Sequence, residues 1–356
     1  MEKSFSEALK NNGQIVTDYL LDYLSTAKIT PDYLREGVNF YVRKGGKRLR
    51  PALLFWACEL AGGDALAALP AAAAVELMHT GTLVHDDIID RDNMRRGGLS
   101  MHAHFQGYFK SQITLNLLDH LANSIAMLVG DIQYSLAIAM MNDLPTSVDR
   151  RLVQWLIHNL TVGWVPEVMS GETLDVQYAW QSLAEVNEAM ILDMLDKKTA
   201  STFALAGKTG ALIGLNKLDL EHPIVIQLEK LCRDAGLAFQ LQDDILGIVG
   251  DQAELGKPVG SDIREGKKTI LVAYVYSKAN AKQRKILENI LGKSDATINE
   301  TNQVKQLLID LGGVDYVHEL ANKYIESAQE ALIALPDHPV KAYFKDWINF
   351  MINRSY

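Results

Sequence analysis

Cysteine is almost absent: only Cys58 and Cys232 occur in 356 residues, far apart and in no metal-type spacing. Neither a zinc site nor a disulfide framework is expected, and both residues read as buried thiols of a reducing compartment. Proline is scarce, at 9 residues, while Ala and Leu are plentiful, a balance that favours helix over strand. No surplus of positive charge exists: 35 Lys and Arg face 44 Asp and Glu, for a net charge of −9. That excludes a general nucleic-acid binder. The longest apolar run, Ala65 to Val75, is interrupted by Pro70 and is too short to cross a bilayer. The N-terminal residues MEKSFSEALKNNGQ lack the apolar core of a signal peptide. A cytoplasmic protein without a transmembrane segment is therefore expected.

With 48% hydrophobic and 22% charged residues, the chain has ample surface to bury, which excludes disorder and collagen-like repeats. Length alone suggests about two domains. No Ser/Gly linker, low-complexity tract or internal repeat marks a boundary, so the expectation is one all-α domain over residues 1–356, with ten or more helices. Helical periodicity is clear in Val186–Leu195, in Pro70 to about Arg91 with its run Ala71–Ala74, and in Gln227–Ile248. Gly250–Gly266, with clustered Gly, Pro and charge, reads as a loop.

Composition does not explain Asp86-Asp87-Ile88-Ile89-Asp90. On a helix, Asp86 and Asp90 share one face, with Asp87 roughly 100° round. Aspartate is a poor interior helix former, and like charges one turn apart repel. The apolar neighbours Leu83, Val84, Ile88 and Ile89 imply partial burial, where repulsion grows. A hard cation such as Mg²⁺, which takes carboxylate oxygens and bridges to substrate phosphate, would resolve the conflict; a solvated acidic helix end is the plainer alternative for this cluster alone. Phe239-Gln240-Leu241-Gln242-Asp243-Asp244 repeats the pattern in a second apolar helix. Two such pairs could face one another across a cavity and hold several ions.

The cations are grouped to match. Lys44-Gly45-Gly46-Lys47-Arg48-Leu49-Arg50-Pro51 joins a flexible Gly pair to groups suited to phosphate oxygens. Arg95-Arg96-Gly97 follows the first aspartates, Lys197-Lys198-Thr199 sits on a third helix, and Lys257 and Lys267 punctuate the loop after the second pair. Cations placed beside Asp pairs in an acidic protein point to a small polyanion. His79 joins Glu76, Leu83, Asp86 and Asp90 in one helical stripe. Other motifs fail: Gly207-Lys208-Thr209 has Thr202 where a P-loop needs glycine, and Glu76-x-x-His79 has no second copy to build a di-iron bundle.

Taken in order, these segments resemble the trans-type isoprenyl diphosphate synthases, the polyprenyl synthetase family. Gly46–Pro51 resembles the family's isopentenyl-diphosphate anchor, Asp86-Asp87-x-x-Asp90 its first aspartate motif, and Lys198-Thr199 its Lys-Thr pair. Phe239-Gln240-x-x-Asp243-Asp244 resembles its second aspartate motif, and Gly256-Lys257 and Gly266-Lys267 complete the set. The resemblance implies a helical isoprenoid-synthase fold around a central cavity, acting as a homodimer. It implies that Asp86, Asp90 and Asp243 bind three Mg²⁺ ions, with Asp87 and Asp244 acting nearby. Arg95, Lys198, Lys257 and Lys267 would hold the allylic diphosphate, and Lys47, Arg50, His79 and Arg96 the isopentenyl diphosphate. Oxygens around Lys198, Thr199 and Gln240 would steady the carbocation. The implied reaction condenses isopentenyl diphosphate onto an allylic diphosphate, giving a linear trans-prenyl diphosphate.

In the family, aromatic residues four or five positions before the first aspartate close the product tunnel. Thr82 and Gly81 stand there in this chain, so a geranylgeranyl or longer product is expected, with Met78 or a residue of a facing helix as the next floor. Gly247 replaces a third aspartate of the second motif, with Asp251 as a substitute ligand. The stretch from Phe105 to Asn123 reads as an insertion, in which Tyr108, Phe109, Ile113, Leu117 and Leu118 could form an extra amphipathic helix. Two rivals share the aspartates: a terpene cyclase on the same fold, which would not need the isopentenyl anchor, and a non-catalytic subunit of a heteromeric synthase, which should have degraded motifs.

Overall fold

The computed structural model describes residues 4–249 and 261–352. The described chain is helical nearly throughout: α1 (Phe5–Thr26), α2 (Asp32–Arg43), α3 (Leu49–Leu60), α4 (Leu69–Ile89), α5 (Met101–Phe109), α6 (Leu115–Asn142), α7 (Arg150–His158), α8 (Val165–Trp180), α9 (Glu188–Leu195), α10 (Ser201–Leu215) and α11 (Pro223–Val249). After them come α12 (Ser261–Glu265), α13 (Ile270–Lys278), α14 (Ala281–Ile290), α15 (Ile298–Asp310), α16 (Gly313–Ile333) and α17 (Lys341–Ile352). The only sheet among the described residues is a hairpin of β1 (Met94–Arg95) and β2 (Gly98–Leu99).

Local chemistry sets the helix ends. Ser4 and Glu7 form a capping box at the start of α1, and Asn280 with Gln283 and Thr297 with Glu300 repeat it on α14 and α15, each satisfying backbone N–H groups that lack an intrahelical partner. Proline stands in the first turn of α4, where its missing N–H costs nothing.

The described residues form two compact units. The first runs to Val162 and adds Ala206–Ile226 and Pro336–Phe344; the second takes Gly163–Leu205, Gln227–Leu335 and the residues from Lys345 onward. The first buries Leu20, Leu53, Trp56, Leu77 and Met78, and the second Phe203, Leu228, Leu241, Ile270 and Trp347. Two stretches, Ala65–Ile89 and Leu115–Asn142, are long and apolar enough to cross a bilayer by length and composition, and 67% and 44% of their most apolar windows are buried within the protein. The unbroken apolar run Ala65–Val75 covers only the start of the first stretch, because polar residues are spread through the rest of it and through the second.

The Phe105–Asn123 stretch is not an extra helix. It is the end of α5, a short turn and the start of α6; Phe105, Tyr108 and Phe109 pack their rings around Tyr33. The expected loop Gly250–Gly266 includes a helical turn at Ser261–Glu265, and its residues 250–260 lie outside the described chain.

Candidate active site

In the first unit, the aspartates sit at the C-terminal end of α4, where Asp90 is the cap residue. Asp86 and Asp90 are half-buried and Asp87 is fully buried. The β1–β2 hairpin brings Arg95 onto them: its Nη2 lies 3.0 Å from Asp86 Oδ2, its Nε donates to Asp87 Oδ1 at 2.6 Å, and Asp92 Oδ2 is 3.7 Å away. Tyr41 donates its hydroxyl to Asp87 Oδ2 and accepts from the Met101 N–H at 2.8 Å. Burial pushes the Asp87 carboxyl up to about 6, with Arg95 and Tyr41 opposing. Burial also works against the charge on Arg95, but Asp87 and Asp86 outweigh it and hold the guanidinium protonated.

The basic loop between α2 and α3 is built by close approaches. Gly46 has φ +145°, in the region glycine favours, and a Cβ there would stand 2.9 Å from Arg96 Cζ. Arg96 donates to the carbonyls of Tyr41, at 3.3 Å, and of Gly45. Arg48, left-handed at φ 49°, turns inward: its Nη1 pairs with Glu76 Oε1 at 2.5 Å, with side chains 1% and 3% exposed, and its Nη2 donates to the Val42 carbonyl at 2.9 Å. Lys47 is left exposed beside it. Arg50 Nη1 lies 3.2 Å from His79 Nε2. Burial first, and then the Arg50 guanidinium, hold the His79 pKa well below the usual histidine value. The ring is therefore neutral, accepting from Arg50.

In the second unit, Lys198 and Thr199 lie on a π-helical turn, Asp196–Ala200, between α9 and α10. Helix α8 reaches this turn at Gly171, where a Cβ would stand 2.4 Å from the Lys198 N. Lys198 Nζ is held by Asp175 at 2.6 Å and Glu172 at 2.8 Å. Thr199 Oγ1 donates to Gln240 Oε1 at 3.1 Å, and Gln240 Nε2 donates to Asp244 Oδ1 at 3.1 Å. One polar chain thus ties the Lys-Thr pair to the second aspartate motif. Burial pushes Asp244 up to about 8, with Asp262, Asp243 and Asp175 adding to the effect. At Gly247, a Cβ would meet Asp262 Oδ2 at 2.7 Å, so a carboxylate from α12 fills the space beside the missing third aspartate. Lys267 lies 3.3 Å from Glu265. Lys257 and Asp251 fall outside the described residues.

Sequence reasoning missed Tyr41, Arg48, Glu172, Asp175 and Asp262. Arg48 stood inside the basic loop, and Glu76 was set aside with the failed di-iron motif; only folding shows them as partners.

Among the described residues, no three His, Cys, Asp or Glu side chains converge into a ready metal cage. The donors nevertheless suit Mg²⁺: they are carboxylate oxygens, and the buried Asp244 Oδ2 has no hydrogen-bond partner, an acceptor that a cation or its water would satisfy.

The chain is similar to known proteins along nearly its whole length. The polyprenyl synthetase family model matches residues 31–308, and the chain belongs to the polyprenyl synthetase family, a family of prenyltransferases. It is 33% identical to a geranylgeranyl diphosphate synthase of Methanosarcina mazei over 350 residues, covering 98% of each chain. Among solved structures, it resembles a geranylgeranyl pyrophosphate synthetase from Pyrococcus horikoshii (TM-score 0.84, 28% identity, covering 99% of this chain and 100% of that one). It also resembles a geranylgeranyl pyrophosphate synthase from Corynebacterium glutamicum complexed with isoprenyl diphosphate and magnesium (TM-score 0.87, 26% identity, covering 98% of this chain and 99% of that one).

Proposed function

We propose that the protein condenses isopentenyl diphosphate onto an allylic diphosphate to give a linear trans-prenyl diphosphate of C20 or longer. The observation that carries this reading is the placement of two aspartate clusters in apolar helices: Asp86 and Asp87 with Arg95 on them, and Asp244 at the end of a polar chain that starts from Thr199, the neighbour of Lys198. Asp86, Asp90 and Asp243 would hold Mg²⁺, three ions in all, with Asp87, Asp244 and Asp262 binding their waters. Bound Mg²⁺ supplies Lewis-acid charge that eases departure of the diphosphate.

The chain's own groups do the rest. Arg95, Lys198, Lys257 and Lys267 hold the allylic diphosphate. Lys47, Arg50 and Arg96 hold isopentenyl diphosphate, and the neutral His79 orients Arg50 rather than adding charge. As the allylic C–O bond breaks, these cations meet the growing negative charge on the leaving group. The oxygens of Thr199 and Gln240 face the carbocation, the new C–C bond forms, and the proton leaves to the departing diphosphate. The work is done by one catalytic domain, as a homodimer in the cytoplasm.

The test is an incubation of purified protein with Mg²⁺, labelled isopentenyl diphosphate and each allylic primer, followed by product chromatography. Linear elongation is expected. A cyclic hydrocarbon from the allylic diphosphate alone, or no turnover without an added partner, overturns the reading.

A further inference from the structure

We infer that Lys44, at the end of α2, is a positioning residue that holds the β1–β2 hairpin so that Arg95 and Arg96 reach the two diphosphates together. The inference rests on the proposed reaction and on contacts within the first unit. The hairpin has two residues in each strand, joined through Arg96 and Gly97. A pair of strands that short does not keep its shape in water unaided. Its turn adds a further cost: Arg96 stands at φ 54° and Gly97 at φ 71°, and only the glycine is at ease there. Such a turn persists only where its surroundings hold it.

The two arginines leave the hairpin toward different places. Arg95 grips Asp86 and Asp87 at the end of α4, where the allylic diphosphate would be held. Arg96 donates to the carbonyls of Tyr41 and Gly45, beside the basic loop that would take isopentenyl diphosphate. Neighbours in one short hairpin move together, so a single anchor on it sets both.

Lys44 is that anchor. It is the cap residue of α2, and its Nζ donates to the Leu99 carbonyl on β2 at 2.5 Å. The approach is close, since a Cβ at Gly98 would stand 2.9 Å from that nitrogen. The ammonium also lies 4.3 Å from the centre of the Phe40 ring, a cation–π contact that fixes its course, and the Phe40 ring packs on His104 at 4.4 Å. Lys44 thus reaches from α2 to the second strand, while Arg96 reaches from the turn back to α2. Its acceptor is a main-chain carbonyl, so what it fixes is the path of the hairpin.

The experiment titrates isopentenyl diphosphate and, separately, dimethylallyl diphosphate, each with Mg²⁺, by calorimetry. The proteins are the wild type, Lys44→Met, Lys44→Arg, Arg96→Ala and the double variant of Lys44→Met with Arg96→Ala. Lys44→Met keeps an apolar stem over Phe40 and loses the donor. It should weaken binding of both diphosphates by about 3–10-fold, up to the factor carried by one charge-assisted hydrogen bond, with native dichroism. Lys44→Arg should restore most of the loss. Against Arg96→Ala, adding Lys44→Met should weaken dimethylallyl diphosphate again and leave isopentenyl diphosphate unchanged, because Lys44 acts on the latter through Arg96. Weakening of one diphosphate alone in Lys44→Met would make Lys44 a direct ligand of it and overturns the proposal. Additive losses for isopentenyl diphosphate, unchanged affinity for both substrates, or an unfolded Lys44→Met overturn it as well. A wild type that binds both diphosphates and joins none defeats the reaction alone.

Discussion

The two aspartate clusters are alike in sequence and opposite in electrostatics. Asp86 and Asp87 carry their counter-charge with them: Arg95 grips both, and Tyr41 closes the second oxygen of Asp87. Asp244 has instead a neutral amide on one oxygen and no partner on the other, with Asp243, Asp262 and Asp175 adding negative potential. Lys198 lies against Asp175 and Glu172. Burial raises the pKa of both carboxyls; with Arg95 and Tyr41 opposing it Asp87 reaches about 6, and with Asp262, Asp243 and Asp175 adding to it Asp244 reaches about 8. Arg95 offsets part of the burial at the first cluster, whereas the buried Asp244 carboxyl meets a neutral amide.

If both clusters serve one reaction, their difference should vanish in activity. Asp86→Ala and Asp243→Ala should each lower turnover of labelled isopentenyl diphosphate by at least about 10²–10³-fold, the scale seen when one electrostatic contact to a developing charge is removed. The far-ultraviolet dichroism of Asp86→Ala should stay native; an unfolded variant would assign the residue to structure. A loss confined to one cluster would break the symmetry.

Stability should separate the regions. Glu76→Ala strands the buried Arg48 and should cost about 3–5 kcal/mol in denaturant unfolding. Glu172→Ala should cost about 1 kcal/mol or less, because Lys198 keeps Asp175 at 2.6 Å.

The two buried aspartates should then respond in the same sense over different pH ranges. Both carboxyls are raised, Asp87 to about 6 and Asp244 to about 8, so Asp87→Asn should gain on wild type as pH climbs toward 6, and by less than Asp244→Asn because Arg95 and Tyr41 offset part of the burial. The sign for Asp244 follows from its raised pKa. The folded chain keeps a proton that the unfolded chain has released, so this contribution is full below the ordinary carboxylate range and is lost as pH rises through about 8. Asp244→Asn removes the penalty, so in metal-free buffer its melting temperature relative to wild type should climb between pH 5 and pH 9. A flat difference would place Asp244 among satisfied groups.

The smallest effect is expected at Gly247. Gly247→Asp brings a second carboxylate against Asp262, 2.7 Å from the new Cβ, and should weaken folding slightly without improving Mg²⁺ binding by calorimetry. Asp262→Asn should weaken that binding. Tighter binding in Gly247→Asp alone would mean that Asp262 does not stand in for the missing side chain.

The aspartate pairs and the Lys-Thr pair were legible because each sets charge within an apolar helix, and the basic loop because its cations cluster about a Gly pair in an acidic chain, contrasts visible in one dimension. The long helices announced themselves by period, as α4 and α11 show. Tyr41, Arg48 and Asp262 were not legible, because their meaning is a partner far along the chain: Tyr41 with Asp87, Arg48 with Glu76, Asp262 with Gly247.

The π-helical turn at Asp196–Ala200 has a consequence for how this chain can vary in length. Such a turn is one residue wound into an otherwise regular helix. Deleting a single residue there would let α9 and α10 run on as one α-helix with the positions on either side kept on their faces. Phe203 would stay against Phe239 and Trp347, while the wide turn that carries Thr199 to Gln240 would close. Folding should therefore survive the loss of one residue here better than in the regular helix on either side, and the Lys-Thr pair should not.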